Sequence, residues 1–131
     1  MLPLVRRYIK TSFVFLALGL LLGGWISLAE FVLGVYPPRL HITAHAHLLL
    51  VGFMLMIVMG VATWMFPRPA RDDTRYRPGL AEAVYWVMTV ATAVRAIIAL
   101  AGLGQLVGAL LFVANMWWRV RMPAVTGPPA R

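Results

Sequence analysis

The chain contains no cysteine and few charged side chains. The lack of cysteine excludes disulfides, thiolate metal sites and thiol nucleophiles. Charged residues make up 12% of the 131 residues and hydrophobic residues 62%, whereas an ordinary soluble domain has about 25% charged residues. A soluble protein with so little charge could not cover its surface, so the composition predicts a membrane protein.

Acidic residues are the scarcest charged groups, with 4 Asp and Glu against 12 Lys and Arg and a net charge of +8. A basic chain can bind nucleic acid, but these basic residues lie between long apolar runs, which is typical of the flanks of membrane spans. We therefore expect a lipid bilayer as the partner, and no nucleic acid. The first apolar run is too long for the hydrophobic region of a signal peptide, which predicts a retained span.

Four apolar segments are long enough to cross a bilayer at 1.5 Å rise per residue. They are predicted at residues 8–33, 40–66, 80–100 and 102–118. The predicted fold class is all-α, a polytopic membrane protein whose four transmembrane helices form an antiparallel bundle. This single domain would cover residues 1–122, followed by a disordered tail at 123–131. A tight turn at Ala101–Gly104 is expected to join the last two helices.

The basic residues predict the orientation of the spans, because Lys and Arg are enriched in cytoplasmic loops. Ten of them fall on one side of the predicted spans: Arg6, Arg7, Lys10, Arg68, Arg71, Arg75, Arg77, Arg119, Arg121 and Arg131. Only Arg39 lies in a loop on the other side. The chain is therefore predicted to cross the inner (cytoplasmic) membrane several times, with both termini in the cytoplasm.

All three histidines lie within seven residues at the outer end of the second predicted span: His41, His45 and His47. The four-residue spacing places His41 and His45 on nearly one helix face, whereas His45 and His47 point about 200° apart. A small metal ion could therefore take His41 and His45, but not His45 and His47. The alternatives are that His41 caps the helix start or hydrogen-bonds in water, and that His47 bonds a carboxylate, a propionate, or a metal shared with other protomers.

Gly52 lies two helical turns below His45 on the same predicted face, where a missing side chain would leave room for a flat macrocycle such as haem. Haem propionates need cations, and Arg39 and Arg95 are predicted near the outer level. A charged residue inside a span is costly and usually functional, and Arg95 is predicted at the depth of His45. The alternative is that Glu30 pairs with either arginine without haem.

Two glycine pairs have the four-residue spacing that permits close approach of helices in lipid: Gly19 with Gly23, and Gly104 with Gly108. The spacing is frequent by chance in glycine-rich spans. It therefore predicts close packing at these positions and nothing more specific.

The run AHAHLLLVGFMLMIVMGVATWMFPR resembles the second membrane helix of the catalytic subunit of haem–copper oxidases and nitric oxide reductases. It is more similar still to small four-span relatives of that subunit, of the kind found near denitrification genes, whose second helix shows H-x-H-L. The match places His45 on the position of an axial ligand of haem b. It places Gly52 and Pro67 on the glycine and the proline that follow in that helix. The rest of the chain matches only as generic helices.

The resemblance implies haem b as cofactor, with its iron bound by His45 and its propionates near Arg39 and Arg95. It implies a role in electron transport, in binding nitric oxide or another gas, or in support of a nitric oxide reductase or other respiratory or denitrification complex. The further histidines that the large subunits use for a second haem and a binuclear centre do not occur in the sequence. No complete catalytic site is therefore expected.

The second axial position of such a haem has no evident ligand in the sequence. The haem would either be five-coordinate and open to a gas, or take a histidine from a neighbouring protomer of a homo-oligomer. Two readings without haem remain open. One is an accessory or assembly subunit that keeps the helix as a packing surface, and the other is a Cu or Zn site built by the histidines.

Overall fold

The computed structural model describes the backbone of residues 3–66, 78–95 and 101–121, and the side chains of 3–66, 79–95 and 107–117. Four helices follow one another in this part of the chain: α1 (Pro3–Phe31), α2 (Arg39–Met65), α3 (Pro78–Arg95) and α4 (Ala101–Arg121). No β-strand occurs among the described residues. The all-α prediction is confirmed to that extent.

The first helix begins earlier than expected, at Pro3. Proline suits the first turn of a helix, because the N–H that it lacks would have no partner there. The helix ends at Phe31, and Gly34 follows with a φ of 66°. This left-handed backbone conformation turns the chain after a helix, and glycine adopts it without strain.

The turn predicted at Ala101–Gly104 is wrong, because these residues form the start of α4. The two glycines in this stretch lower the helix preference by only about 1 kcal/mol each, so the start of a long apolar helix can include them. The predicted tail at 123–131 lies outside the described residues.

Two of the helices, α1 and α2, are long and apolar enough to cross a membrane, with mean hydropathies of 2.1 and 2.3. A third apolar stretch, Val107–Trp117 in α4, is shorter. Large apolar side chains cover the outward face of α1, including Leu21 at 72% exposure and Phe31 at 81%. These features support association of the chain with a membrane.

The second helix is irregular just below its histidines. Over Leu48–Leu55 it adopts the π-helical form, in which the hydrogen bonds run from residue i to i+5. Such segments are rare and frequently occur at functional sites. The 100° step between successive residues of a regular α-helix therefore does not predict which face each residue of Leu48–Leu55 presents.

The first two helices pack against each other in opposite directions along a seam of glycines. In four places a glycine of one helix lies directly against a side chain of the other: Gly23 with His45, Gly19 with Leu49, Gly52 with Phe15, and Gly60 with Tyr8. These pairs advance along α2 as they descend along α1, so the two backbones stay close over most of their length. The close packing predicted at Gly19 and Gly23 is confirmed.

The third helix joins this pair at the end that holds the N-terminus of α1. The core there consists of six buried side chains: Tyr8, Met56, Met59, Val84, Tyr85 and Met88. The rings of Tyr8 and Tyr85 meet edge to face with centroids 5.1 Å apart. The hydroxyl groups of Tyr85 and Thr11 share a hydrogen bond of 2.8 Å, which ties α3 to α1.

The Tyr85→Phe substitution removes this hydrogen bond and leaves the ring packing in place. We expect it to lower the free energy of unfolding by about 0.5–1.5 kcal/mol, the range for a side-chain hydrogen bond between membrane helices. Unfolding of the detergent-solubilised protein by added SDS would measure the change. Glu82→Gln is the comparison, because the Arg7–Glu82 ion pair of 2.6 Å is half exposed and should contribute less. A Tyr85→Phe protein as stable as the wild type would contradict this prediction.

Candidate functional site

The His45 side chain lies on the face of α2 that packs against α1. Its Nδ1 atom is 2.8 Å from the carbonyl oxygen of Gly19. Since a carbonyl oxygen can only accept, Nδ1 carries the proton, and the lone pair of the neutral ring is then on Nε2. Within the described part of the chain, Nε2 has no hydrogen-bond partner. The lone pair on Nε2 of His45 is therefore unpaired among the described residues.

The ring of His45 rests against the backbone of Gly23. A Cβ atom placed on Gly23 would lie 2.5 Å from Cε1 of His45 and 2.9 Å from Nδ1. These distances are shorter than van der Waals contact, so the ring occupies space that exists only because residue 23 has no side chain. We call this arrangement of Gly19, Gly23 and His45 the imidazole seat.

The other two histidines have different surroundings. Nδ1 of His47 donates to the carbonyl oxygen of Thr43, one turn earlier in the same helix, over 2.9 Å. Nδ1 of His41 is buried and has no hydrogen-bond partner among the described residues. The same residues contain no group of three or more His, Cys, Asp or Glu side chains that could hold a metal ion. The histidines do not form one site of three ligands.

The open space expected beside Gly52 is not present. A Cβ on Gly52 would lie 2.7 Å from Cβ of Phe15 and 3.0 Å from Cγ2 of Thr92. Because the Cβ atom of Phe15 is attached directly to the backbone of α1, the two helices are too close here to admit a macrocycle between them. The space predicted beside Gly52 is therefore filled by α1, which packs on the same face of α2. That Gly52 contacts a haem stays a prediction.

Arg95 is the last residue of α3 and is partly buried, and its Nε atom is buried without a hydrogen-bond partner in the structurally described ranges. The contact between Thr92 and the Gly52 position fixes the relative height of α3 and α2. Arg95 follows Thr92 by three residues, and His45 precedes Gly52 by seven. The backbone of Arg95 is thus deeper than that of His45, and only its side chain can extend toward that level.

The other predicted polar residues near this end are exposed. Arg39 is the first residue of α2, and Glu30 lies near the end of α1; both side chains are exposed. Among the residues that the structure describes, Arg7 and Glu82 form the one ion pair. The pairing of Glu30 with Arg39 or Arg95, considered as an alternative to haem, is not formed.

The contacts of Gly19 and Gly23 with His45 were not predicted from the sequence. Gly19 and Gly23 are four residues apart in α1, and His45 and Leu49 are four residues apart in α2. Two antiparallel helices with matched spacings bring the first member of one pair to the last member of the other. Matching the glycine pair to the histidine by this rule was the signal that could have identified the imidazole seat.

Comparisons of the chain with protein-family models, curated proteins and solved structures find no match. The resemblance of the second helix stays a prediction.

The described residues fit a haem in part. The hydrogen bond from Nδ1 of His45 to a carbonyl is the arrangement found for most metal-ligating histidines. The free Nε–H of Arg95 is a charged donor suited to a carboxylate such as a propionate. The Gly52 position does not fit, because Phe15 and Thr92 fill it.

Proposed function

We propose that the chain is a four-span membrane protein that binds haem b through Nε2 of His45. The observation that carries the proposal is the hydrogen bond of 2.8 Å between Nδ1 of His45 and the carbonyl oxygen of Gly19. A ligating histidine almost always donates its second ring N–H to an oxygen, which fixes the tautomer and orientation of the ring. His45 has this bond to a neighbouring helix, His47 has one within its own helix, and His41 has none at Nδ1 among the described residues.

The proposed role is electron transfer, binding of nitric oxide or another gas, or support of a respiratory or denitrification enzyme. When bound, haem b supplies a one-electron redox centre that its axial ligands tune. His45 orients the ligand nitrogen, and Arg95 and Arg39 supply positive charge for the propionates. The Gly52 seam stays closed by Phe15, so the macrocycle is proposed on the side of His45 that carries Nε2.

In this proposal all four helices cross the inner membrane, and both termini are cytoplasmic because the basic residues are concentrated on one side. The chain acts as a homo-oligomer. Either a histidine of a second copy completes the iron coordination, or the second axial position stays open to a gas. Nε2 of His47, which has no partner among the described residues, is the candidate for this contribution from a second copy.

The visible spectrum of the purified protein tests the haem proposal. Protein from cells grown with ample haem is expected to show a Soret band and a stoichiometric amount of non-covalently bound haem b. The reduced spectrum recorded with and without nitric oxide then shows whether a coordination position is open. A folded, membrane-inserted protein that stays colourless after haem addition contradicts the proposal.

A haem-free accessory subunit is the second candidate, and a specific observation favours it. The bond from His45 to Gly19 and the contact of Gly52 with Phe15 hold α1 and α2 together without a cofactor. A colourless but stable protein would support this function.

Metal analysis of the same sample tests the hypothesis of a Cu or Zn site, for which stoichiometric metal is the expected result.

A further inference from the structure

We infer that α1 is the positioning element for the His45 ligand, because the imidazole seat selects both the tautomer and the orientation of the ring. The inference rests on the proposed function for its iron chemistry. The seat itself is a property of the protein without haem, so it can be measured in the absence of any cofactor.

The carbonyl oxygen of Gly19 selects the tautomer. A neutral imidazole carries one proton, on either Nδ1 or Nε2. Only the Nδ1–H form can donate to Gly19 over the 2.8 Å distance, whereas the Nε2–H form would place two lone pairs against each other. A ring rotated by 180° would present a carbon atom to the carbonyl and lose the bond. One tautomer and one ring orientation are therefore favoured, and in that state the lone pair of the ring is on Nε2.

The missing side chain of Gly23 keeps the ring at this position. A methyl group there would lie 2.5 Å from Cε1 of His45, so the ring would have to move away from the Gly19 carbonyl. The neighbouring Gly24 has nothing within 4 Å of the corresponding position. Gly23→Ala and Gly24→Ala therefore add the same methyl group to adjacent residues of one helix, but only the first disturbs the seat.

The seat should also tune a bound haem. A ring N–H that donates to a carbonyl makes the ligating nitrogen more basic, which favours ferric over ferrous iron. Loss of the Gly19 bond is therefore expected to make the midpoint potential more positive. Gly23→Ala should show this shift, and Gly24→Ala should not.

Nitrogen-15 NMR of histidine-labelled protein in lipid nanodiscs, prepared without haem at alkaline pH, tests the inference. The His45 signals are assigned from their loss in His45→Ala. The expected result is an Nδ1–H tautomer for His45 in the wild type and in Gly24→Ala, and a loss of that preference in Gly23→Ala. If haem binds, the midpoint potentials of the same variants are measured in parallel.

The outcomes separate the inference from the proposed function. An Nε2–H tautomer of His45 in the wild type overturns the seat, whether or not haem binds. An Nδ1–H tautomer in a protein that binds no haem supports the seat and contradicts the haem proposal. Unchanged His45 signals in Gly23→Ala overturn the role of that glycine. The wild-type measurement needs no variant, so it stays decisive even if Gly23→Ala does not fold.

Discussion

His45→Ala is expected to abolish the Soret band of the purified protein, whereas His41→Ala and His47→Ala should keep a haem bound. The reason is that, among the three described histidines, His45 is the one whose Nδ1–H donates to a different helix, which leaves the lone pair on Nε2, the proposed ligand atom. The effect should be a loss of nearly all bound haem, because His45 is the one iron ligand that each copy of the chain supplies to its own haem in this proposal. Haem content per folded protein is the measurement.

The His45→Ala protein also loses its bond to Gly19, which should cost about 1 kcal/mol of stability. Haem loss must therefore be compared with the elution profile and helix content of the same sample. Added free imidazole offers a further check, since it can occupy the space that the ring leaves beside Gly23 and restore a Soret band. A His45→Ala protein with its full haem content would show that the ligand is another residue.

The two control variants also report on the second axial ligand. If a second copy of the chain supplies His47 to the iron, His47→Ala should shift the spectrum from the six-coordinate to the five-coordinate form without loss of haem. If the iron is five-coordinate in the wild type, neither control should change the spectrum.

The sequence predicted the helices well because each of them is a continuous apolar run, and such runs are local. α4 begins at Ala101, where a turn was predicted because its glycines were read as a break. α1 begins at Pro3, ahead of the predicted span, because its first turns include the basic residues Arg6 and Arg7, which an apolar run excludes. The presence of each helix could therefore be predicted from composition, whereas the residues at which it begins and ends are known only from the backbone structure.

The candidate site was predictable only in part, because it depends on contacts between helices. His45 could be singled out from its spacing and resemblance, and the close approach at Gly19 and Gly23 from their own spacing. His45 packs against the glycine pair, and Phe15 packs against Gly52. Both contacts arise because α1 and α2 pack antiparallel to each other. A pattern within one helix cannot show which side of it another helix covers.

The seam at Gly52 is expected to tolerate a side chain poorly. In Gly52→Ala the new methyl carbon would lie 2.7 Å from Cβ of Phe15, and neither atom can move by rotation of a side chain. The helices must separate, which should cost about 1–3 kcal/mol despite the higher helix preference of alanine, worth about 0.5–1 kcal/mol. Unfolding of the haem-free protein by SDS measures the difference.

Two matched variants isolate the cause of this loss. Gly24→Ala adds its methyl group in open space and should leave stability unchanged or raise it. Gly108→Ala would meet the Sδ atom of Met88 at 2.5 Å, but this is the flexible end of a side chain, so a smaller loss is expected. If the contact with Phe15 is responsible, Gly52→Ala should also cost less in a Phe15→Gly background.

The same variant decides between the two roles considered for Gly52. If a macrocycle lay against this residue, Gly52→Ala would reduce haem binding but leave the haem-free protein as stable as the wild type, or more so. If Phe15 closes this position, Gly52→Ala should instead lower the stability of the haem-free protein. Because the clash is between two Cβ atoms, whose positions the helix backbones fix, any loss of haem in Gly52→Ala should then follow the loss of folded protein in proportion.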